Sequence, residues 1–442
     1  MTETPPSALA QSGVQLAFEG LPEATLLAGS SHVHQLITRY FQRWPFAEKT
    51  LGEERPSFHV RETRRGFMIR SEGHTEHFDT SAEMLCDLGI ELAETVIRHH
   101  SAMQCLHCSA VALHSEGEEH LMIFPNINRA GKSLLAVSFL RHDARLFADD
   151  LLAVTEEGEG MSFGLPPRLR LPLPPTSVRL SAKLESMPGH GDGRYHFLYA
   201  GEAIAAFGER RPIGAIVLPS RLPEGQKRKP ELRRLSPASA LQCMAYQFQM
   251  REGQAMAIFE LARRLCERVP LWILDYDSPE EAAELMVREG ARIFSTPAAG
   301  EEGELLPKGY LTESDRLSMP ARGRAFPSER NLRWLRAPDM HVHENGAFAY
   351  LIPKDQNSIF GVDGIGLAVL AFLAEPLSIA EAAGLLAHVF PQTGRERLES
   401  DLLAFFRLLF EQGLIIRAPS LSARCFHPPF SLRQCCLLRK GE

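Results

Sequence analysis

The sequence has little cysteine, no long apolar run and no excess of basic charge. Eight cysteines are scattered irregularly over 442 residues, too sparse for the disulfide framework of a small secreted domain. The longest uninterrupted apolar stretch, Gly364 to Ala374, falls well short of the ~20 residues that cross a bilayer, so no transmembrane helix is expected. Lys plus Arg number 48 against 55 Asp plus Glu, a net charge of -7. That balance offers no general attraction to nucleic acid or to an anionic membrane, and neither is an expected partner. The opening residues MTETPPSALAQSG lack the basic start and apolar segment of a signal peptide, which makes the cytoplasm the expected compartment.

What is present is ordinary globular material, 44% hydrophobic and 23% charged. At roughly 100–200 residues per domain the length predicts two to four folding units. Residues 1–100 read as an α/β lead-in, with strand-like runs at Ser57 to Val60 and Gly66 to Arg70 and a helix from Ser81 to His99. In that helix Met84, Leu88, Leu92 and Val96 recur every four residues, as one buried face requires. Between 101 and 295 strands and helices alternate, the pattern of an α/β core. Within it the proline-dense Phe163 to Pro175 and the stretch Pro219 to Lys229 read as loops. Residues 296–336 have linker composition. From 337 to 418 three short strands, three helices and a last strand form a small α+β module, and 419–442 is a basic tail.

One local pattern carries chemistry. The strand HLMIF runs into PNINRAGKS and then the apolar helix LLAVSFL. A phosphate-binding loop needs this strand, loop and helix, because backbone N–H groups and the helix start hold phosphates, Lys bridges outer oxygens and Ser ligates Mg²⁺. Gly131, Lys132 and Ser133 supply the end of G-x-x-x-x-G-K-[ST]. Asn126 stands where the first glycine belongs, and Asn tolerates the left-handed backbone better than most residues. Seventeen residues after Ser133 comes Asp150, preceded by Asp149, at the end of the strand RLFA. One carboxylate can hold Mg²⁺ while the other accepts a proton from an attacking hydroxyl, which phosphoryl transfer requires.

His107 followed by CSAVAL, the AGKS loop and RLFADD resemble, at this spacing, bacterial HPr kinase/phosphorylase and its wider set of HprK-related kinases. The stretch GAIVLPSRL through LWILDYDSPEEAAELM resembles the closing portion of the same kinases. The resemblance spans residues 30 to 295. It implies an α/β P-loop core of the phosphoenolpyruvate-carboxykinase type that moves phosphate from ATP onto a protein serine. It further implies catalytic roles for Asp150 as general base, His107 and Lys132, with ATP held by Asn126, Asn128, Arg129, Ala130, Gly131, Lys132 and Ser133. Mg²⁺ would sit on Ser133 and Asp149. The loop departs from the family at Asn126 and Arg129, where glycines are usual, and SVRLSAK stands where the family has an EIRGLG-type signature.

The module at 337–418, with FGVDGIGLAVLAFLAEPLSIAEAAGLL, resembles PqqD-like domains. These are winged-helix-like recognition elements that bind leader peptides of ribosomally made, modified peptides as an added strand. The resemblance implies a groove formed by Ser358, Ile359, Phe360 and Val362 with the helix around Leu403 and Phe406. Along that helix Leu398, Leu402, Phe405 and Leu409 form the expected core stripe, leaving Phe406 for the groove. An exposed sheet edge supplies unpaired N–H and C=O groups for such binding.

Other clusters read as packing. Cys105 and Cys108 flank His107 at the start of a buried strand and lack a second CxxC, so they are expected as core thiols. The tail residues Cys425, His427, Cys435 and Cys436 have no standard metal spacing. His32 with His34 and His341 with His343 alternate as on exposed strand faces. Three functions fit: a kinase for a precursor peptide or small protein, a degenerate kinase that escorts the peptide to another enzyme, and a small-molecule kinase with a docking module. A homo-oligomer is compatible with each.

Overall fold

The structure is a computed structural model. It describes residues 13–21, 25–49, 56–71, 73–100, 102–115, 117–125, 131–177, 179–182, 187–223, 226, 228–298, 303–304, 326–327, 332–345, 348–355 and 357–418. The chain divides into two compact units. One comprises residues 1–249 and 261–307, the other residues 250–260 and 308–442.

The first unit begins with a six-stranded sheet in the order Phe46–Lys49, Val14–Phe18, Thr25–Ala28, Phe58–Thr63, Gly66–Ser71, His74–Phe78. Helices Ser31–Tyr40 and Ser81–His99 cover it. Thr80 caps the second helix by accepting from the Glu83 N–H, and the expected face of Met84, Leu88, Leu92 and Val96 is buried. This core also contains Met103, Cys105, Met161, Phe163 and Phe197, so the N-terminal sheet shares its interior with the residues that follow. His32 and His34 lie on the helix Ser31–Tyr40, not on a strand, where Ser30 caps the turn and Val33 and Ile37 face inward.

A nine-stranded sheet follows. Its centre is the long strand Arg210–Arg221, parallel to Glu118–Pro125 on one side and to Leu271–Tyr276 on the other. Helices Lys132–Ser138, Pro279–Arg288 and Gly290–Ser295 pack on it through Leu135, Ala136, Ala282, Ala283, Met286 and Ile293. Fully burying an aliphatic side chain of this kind contributes roughly 1.5–3 kcal/mol.

Two loop expectations are corrected. Within Phe163 to Pro175 the first half, Phe163 to Leu169, is mostly buried, and Arg168–Arg170 pairs with Tyr195–Leu198 as the edge of a three-stranded sheet. The flanking prolines lie outside the paired residues, where no ladder donor is lost. Likewise Pro219, Ser220 and Arg221 belong to the central strand. Beyond Ile216 that strand is paired with Leu271–Tyr276 alone among the described residues, and a proline is tolerated there.

The second unit holds helices Gly364–Phe372, Ile379–Val389 and Arg395–Glu411 and two three-stranded sheets. Asp363 caps the first helix by accepting from Gly366 N–H. Ser378 and Glu381 form the expected capping box of the second, and Gly413 ends the third at φ +73°. The linker boundary at 336 is corrected: Arg333–Arg336 is a strand paired with Ile415–Arg417 and Leu377–Ser378, and its Trp334 is fully buried, stacked on Phe326. Its indole is part of one core with Leu351, Leu370 and Phe406, so the strand belongs to the domain. Phe259 adds its ring to this unit, 4.8 Å from His343 and 5.1 Å from Tyr350.

Candidate functional site

The candidate site of the first unit forms where Lys132–Ser138 leaves Gly131. That glycine is left-handed (φ +84°), and a Cβ there would lie 2.7 Å from the Tyr276 hydroxyl, so only glycine fits. Lys132 follows it into a buried position. Burial lowers its ammonium pKa, and the carboxylates of Asp150 and Asp149 pull the other way.

The acidic pair ends the strand Arg145–Ala148. Asp149 is buried, accepts from Ser109 Oγ at 2.7 Å and from the Arg168 N–H at 2.9 Å, and is hydrogen-bonded by Ser133. Burial and the neighbouring Asp150 raise its pKa to about 6 against these bonds. Asp150 turns out of the strand at φ +72°, a left-handed conformation that Asp enters more readily than most residues. Its carboxylate meets His107 Nε2 at 3.6 Å and the Arg168 guanidinium at 3.1 Å. Burial alone would raise its pKa; His107, Arg168 and Lys132 outweigh burial and hold it below the usual carboxylate range. His107 is itself positioned by its backbone N–H, which donates to Gln247 C=O at 2.7 Å.

The structure therefore brings together His107, Lys132, Ser133, Asp149 and Asp150, with Gly131 at the helix start. Asn126, Asn128, Arg129 and Ala130 lie outside the described residues. Arg168 was missing from the sequence reading. Its backbone binds Asp149, its side chain binds Asp150 and donates to Cys86 Sγ at 2.8 Å, and its guanidinium lies 4.9 Å from the Tyr195 ring centroid. The prolines around it signal a surface loop, and nothing in RLRLP marks one arginine of the two.

Ser133 Oγ and the Asp149 carboxylate are adjacent hard oxygen donors, which suits Mg²⁺. That ion commonly takes one or two carboxylates and completes its shell with water and phosphate. Among the described residues no group of three or more His, Cys, Asp or Glu is placed to hold a metal ion. Cys105 and Cys108 are buried free thiols, as packing residues should be. Cys425, His427, Cys435 and Cys436 lie outside the described residues.

In the second unit Phe360–Asp363 forms one edge of the sheet that continues through Phe348–Ile352 to His341–Asn345. The side chains of Ser358, Ile359, Phe360 and Val362 are buried, so only backbone and neighbouring side chains of this strand face outward. The assignment of the helix is also reversed. Phe406 is fully buried with Leu398, Leu402 and Leu409, whereas Phe405 is partly exposed, as is Leu403. The Phe405 ring lies beside Gly366, where a Cβ would sit 3.3 Å from Cζ and 2.9 Å from Val362 Cβ. The first helix thus takes Phe405, and the core closes over Phe406. Ile365, next to this junction, is among the most exposed large apolar residues of the described chain.

Among the described residues no helix is long and apolar enough to cross a membrane. No curated protein matches the chain. Residues 349–415 match the family model of coenzyme PQQ synthesis protein D (PqqD), a match that lies wholly within the second unit. The chain is a mixed α/β protein that carries a PqqD domain in its C-terminal part.

Proposed function

We propose that the protein is an ATP-dependent kinase that phosphorylates a Ser or Thr of a precursor peptide or small protein recruited by its PqqD domain. PqqD domains are peptide-binding recognition elements, and the edge strand Phe360–Asp363 beside Phe405 and Ile365 suits addition of one more strand. Holding the peptide there raises the effective concentration of its acceptor at the kinase site without any new catalytic contact.

The observation that carries the kinase half is the Ser133 bond to Asp149, with Lys132 buried beside both aspartates. Lys132 would neutralise the phosphate chain, and Ser133 with Asp149 would hold Mg²⁺, which supplies charge neutralisation between the outer phosphates. In the transfer the substrate hydroxyl oxygen bonds to the γ-phosphorus, the bond to the bridging oxygen breaks and ADP leaves. The hydroxyl proton passes to Asp150, whose carboxylate faces His107.

Mg-ATP should raise the melting temperature of the wild-type chain and leave Lys132→Met unchanged, whereas Asp150→Asn should bind Mg-ATP and transfer no phosphate. Absence of any nucleotide effect on the wild type would refute this reading. One observation favours a second reading, an escort without transfer: Asp150 is ion-paired to Arg168 and its pKa is lowered, which weakens it as a proton acceptor. Nucleotide binding without phosphate on any bound peptide would select the escort.

A further inference from the structure

The strands Glu118–Pro125, Arg210–Arg221 and Leu271–Tyr276 run parallel, and their carboxyl ends meet at the start of the helix Lys132–Ser138. In open α/β sheets that edge is where ligands bind. The last residue of the central strand is Arg221, in register with Tyr276. Its Cδ lies 3.4 Å from the Cβ that any residue but glycine would carry at 131.

Arg221 Nε is buried and has no hydrogen-bond partner, and among the described residues no carboxylate pairs with this guanidinium. The acids of the site are engaged elsewhere, Asp149 by Ser109, Ser133 and the Arg168 backbone, Asp150 by His107 and the Arg168 side chain. A desolvated N–H on a permanent cation is costly unless something fills it, and a guanidinium is shaped for a phosphate with two non-bridging oxygens.

Resting on the nucleotide reading above, we infer that Arg221 is a phosphate-gripping residue: with Lys132 it clamps the outer phosphates of a nucleoside triphosphate, or any diphosphate unit, across Gly131. The sequence supplies no glycine at Asn126 or Arg129, and a second cation from a neighbouring strand offsets a loop with fewer close backbone approaches.

The test is calorimetric titration of the full chain with Mg-ATP and, separately, with Mg-pyrophosphate, for wild type, Arg221→Gln and Arg221→Lys. Both ligands should lose tenfold or more in affinity in Arg221→Gln and recover in part in Arg221→Lys, while the ligand-free melting temperature of Arg221→Lys stays at the wild-type value. Wild-type binding with unchanged affinity in both variants overturns the Arg221 assignment and leaves the nucleotide reading standing. Absence of binding of either ligand to the wild type overturns both.

Discussion

The guanidinium of Arg168 lies 3.1 Å from the carboxylate of Asp150. The same residue's N–H binds Asp149, so one position in a proline-flanked strand fixes two consecutive acids. Arg168→Gln should keep the backbone bond and lose the ion pair. With each partner about a third exposed, the expected loss is about 1–2 kcal/mol, between the ranges for exposed and buried pairs. The sign with pH is defined. Because the folded pKa of Asp150 is depressed, its pairing stabilises the fold above the unfolded carboxyl pKa of about 3.9 and is lost as pH falls through the folded value. Urea melts should therefore show the largest difference between wild type and variant near neutral pH and none in strong acid.

Gly131→Ala meets two penalties, a left-handed backbone that costs roughly 1–2 kcal/mol for a residue with a Cβ and the close Tyr276 hydroxyl. Tyr276→Phe removes only the second. The double variant should recover part of the melting temperature lost in Gly131→Ala; equal values for the single and double variants would contradict the contact.

A pH dependence of Mg²⁺ use follows from Asp149. A metal-binding carboxylate must be ionised, and this one titrates at about 6. Calorimetric affinity for Mg-ATP should be flat above that value and fall toward about tenfold per pH unit well below it, one proton being displaced per metal bound. Asp149→Asn should bind weakly with no such slope.

Phe406 and Phe405 separate core from surface. Phe406→Ala should destabilise the PqqD domain by about 3–5 kcal/mol, the usual cost of truncating a buried ring. Phe405→Ala, partly exposed, should cost less than half as much in a denaturant melt and reduce peptide binding instead.

The sequence disclosed those parts whose signal is local. The capping box of Ser378 and Glu381, the stripe from Met84 to Val96 and the helix that starts at Lys132 after Gly131 all depend on residues within a few positions of one another, and the structure has them. The spacing from Ser133 to the acidic pair was legible because a strand, a helix and a short return fix it. Arg168 and Arg221 were hidden because pairing across the sheets brings them to the site, and prolines around both imitate loops. Phe405 and Phe406 were exchanged because the helical stripe places both near the core edge. Which one enters is decided by the approach of Gly364–Phe372, a tertiary fact no periodicity contains.

The most direct measurement is mass spectrometry of a small precursor-type peptide encoded beside this protein, after incubation with the full chain and Mg-ATP. The account predicts phosphate on a Ser or Thr of the peptide with the wild type, none with Lys132→Met or Asp150→Asn, and loss when the edge strand Phe360–Asp363 is disrupted. A peptide that binds the chain in the presence of bound Mg-ATP and never acquires phosphate would contradict it.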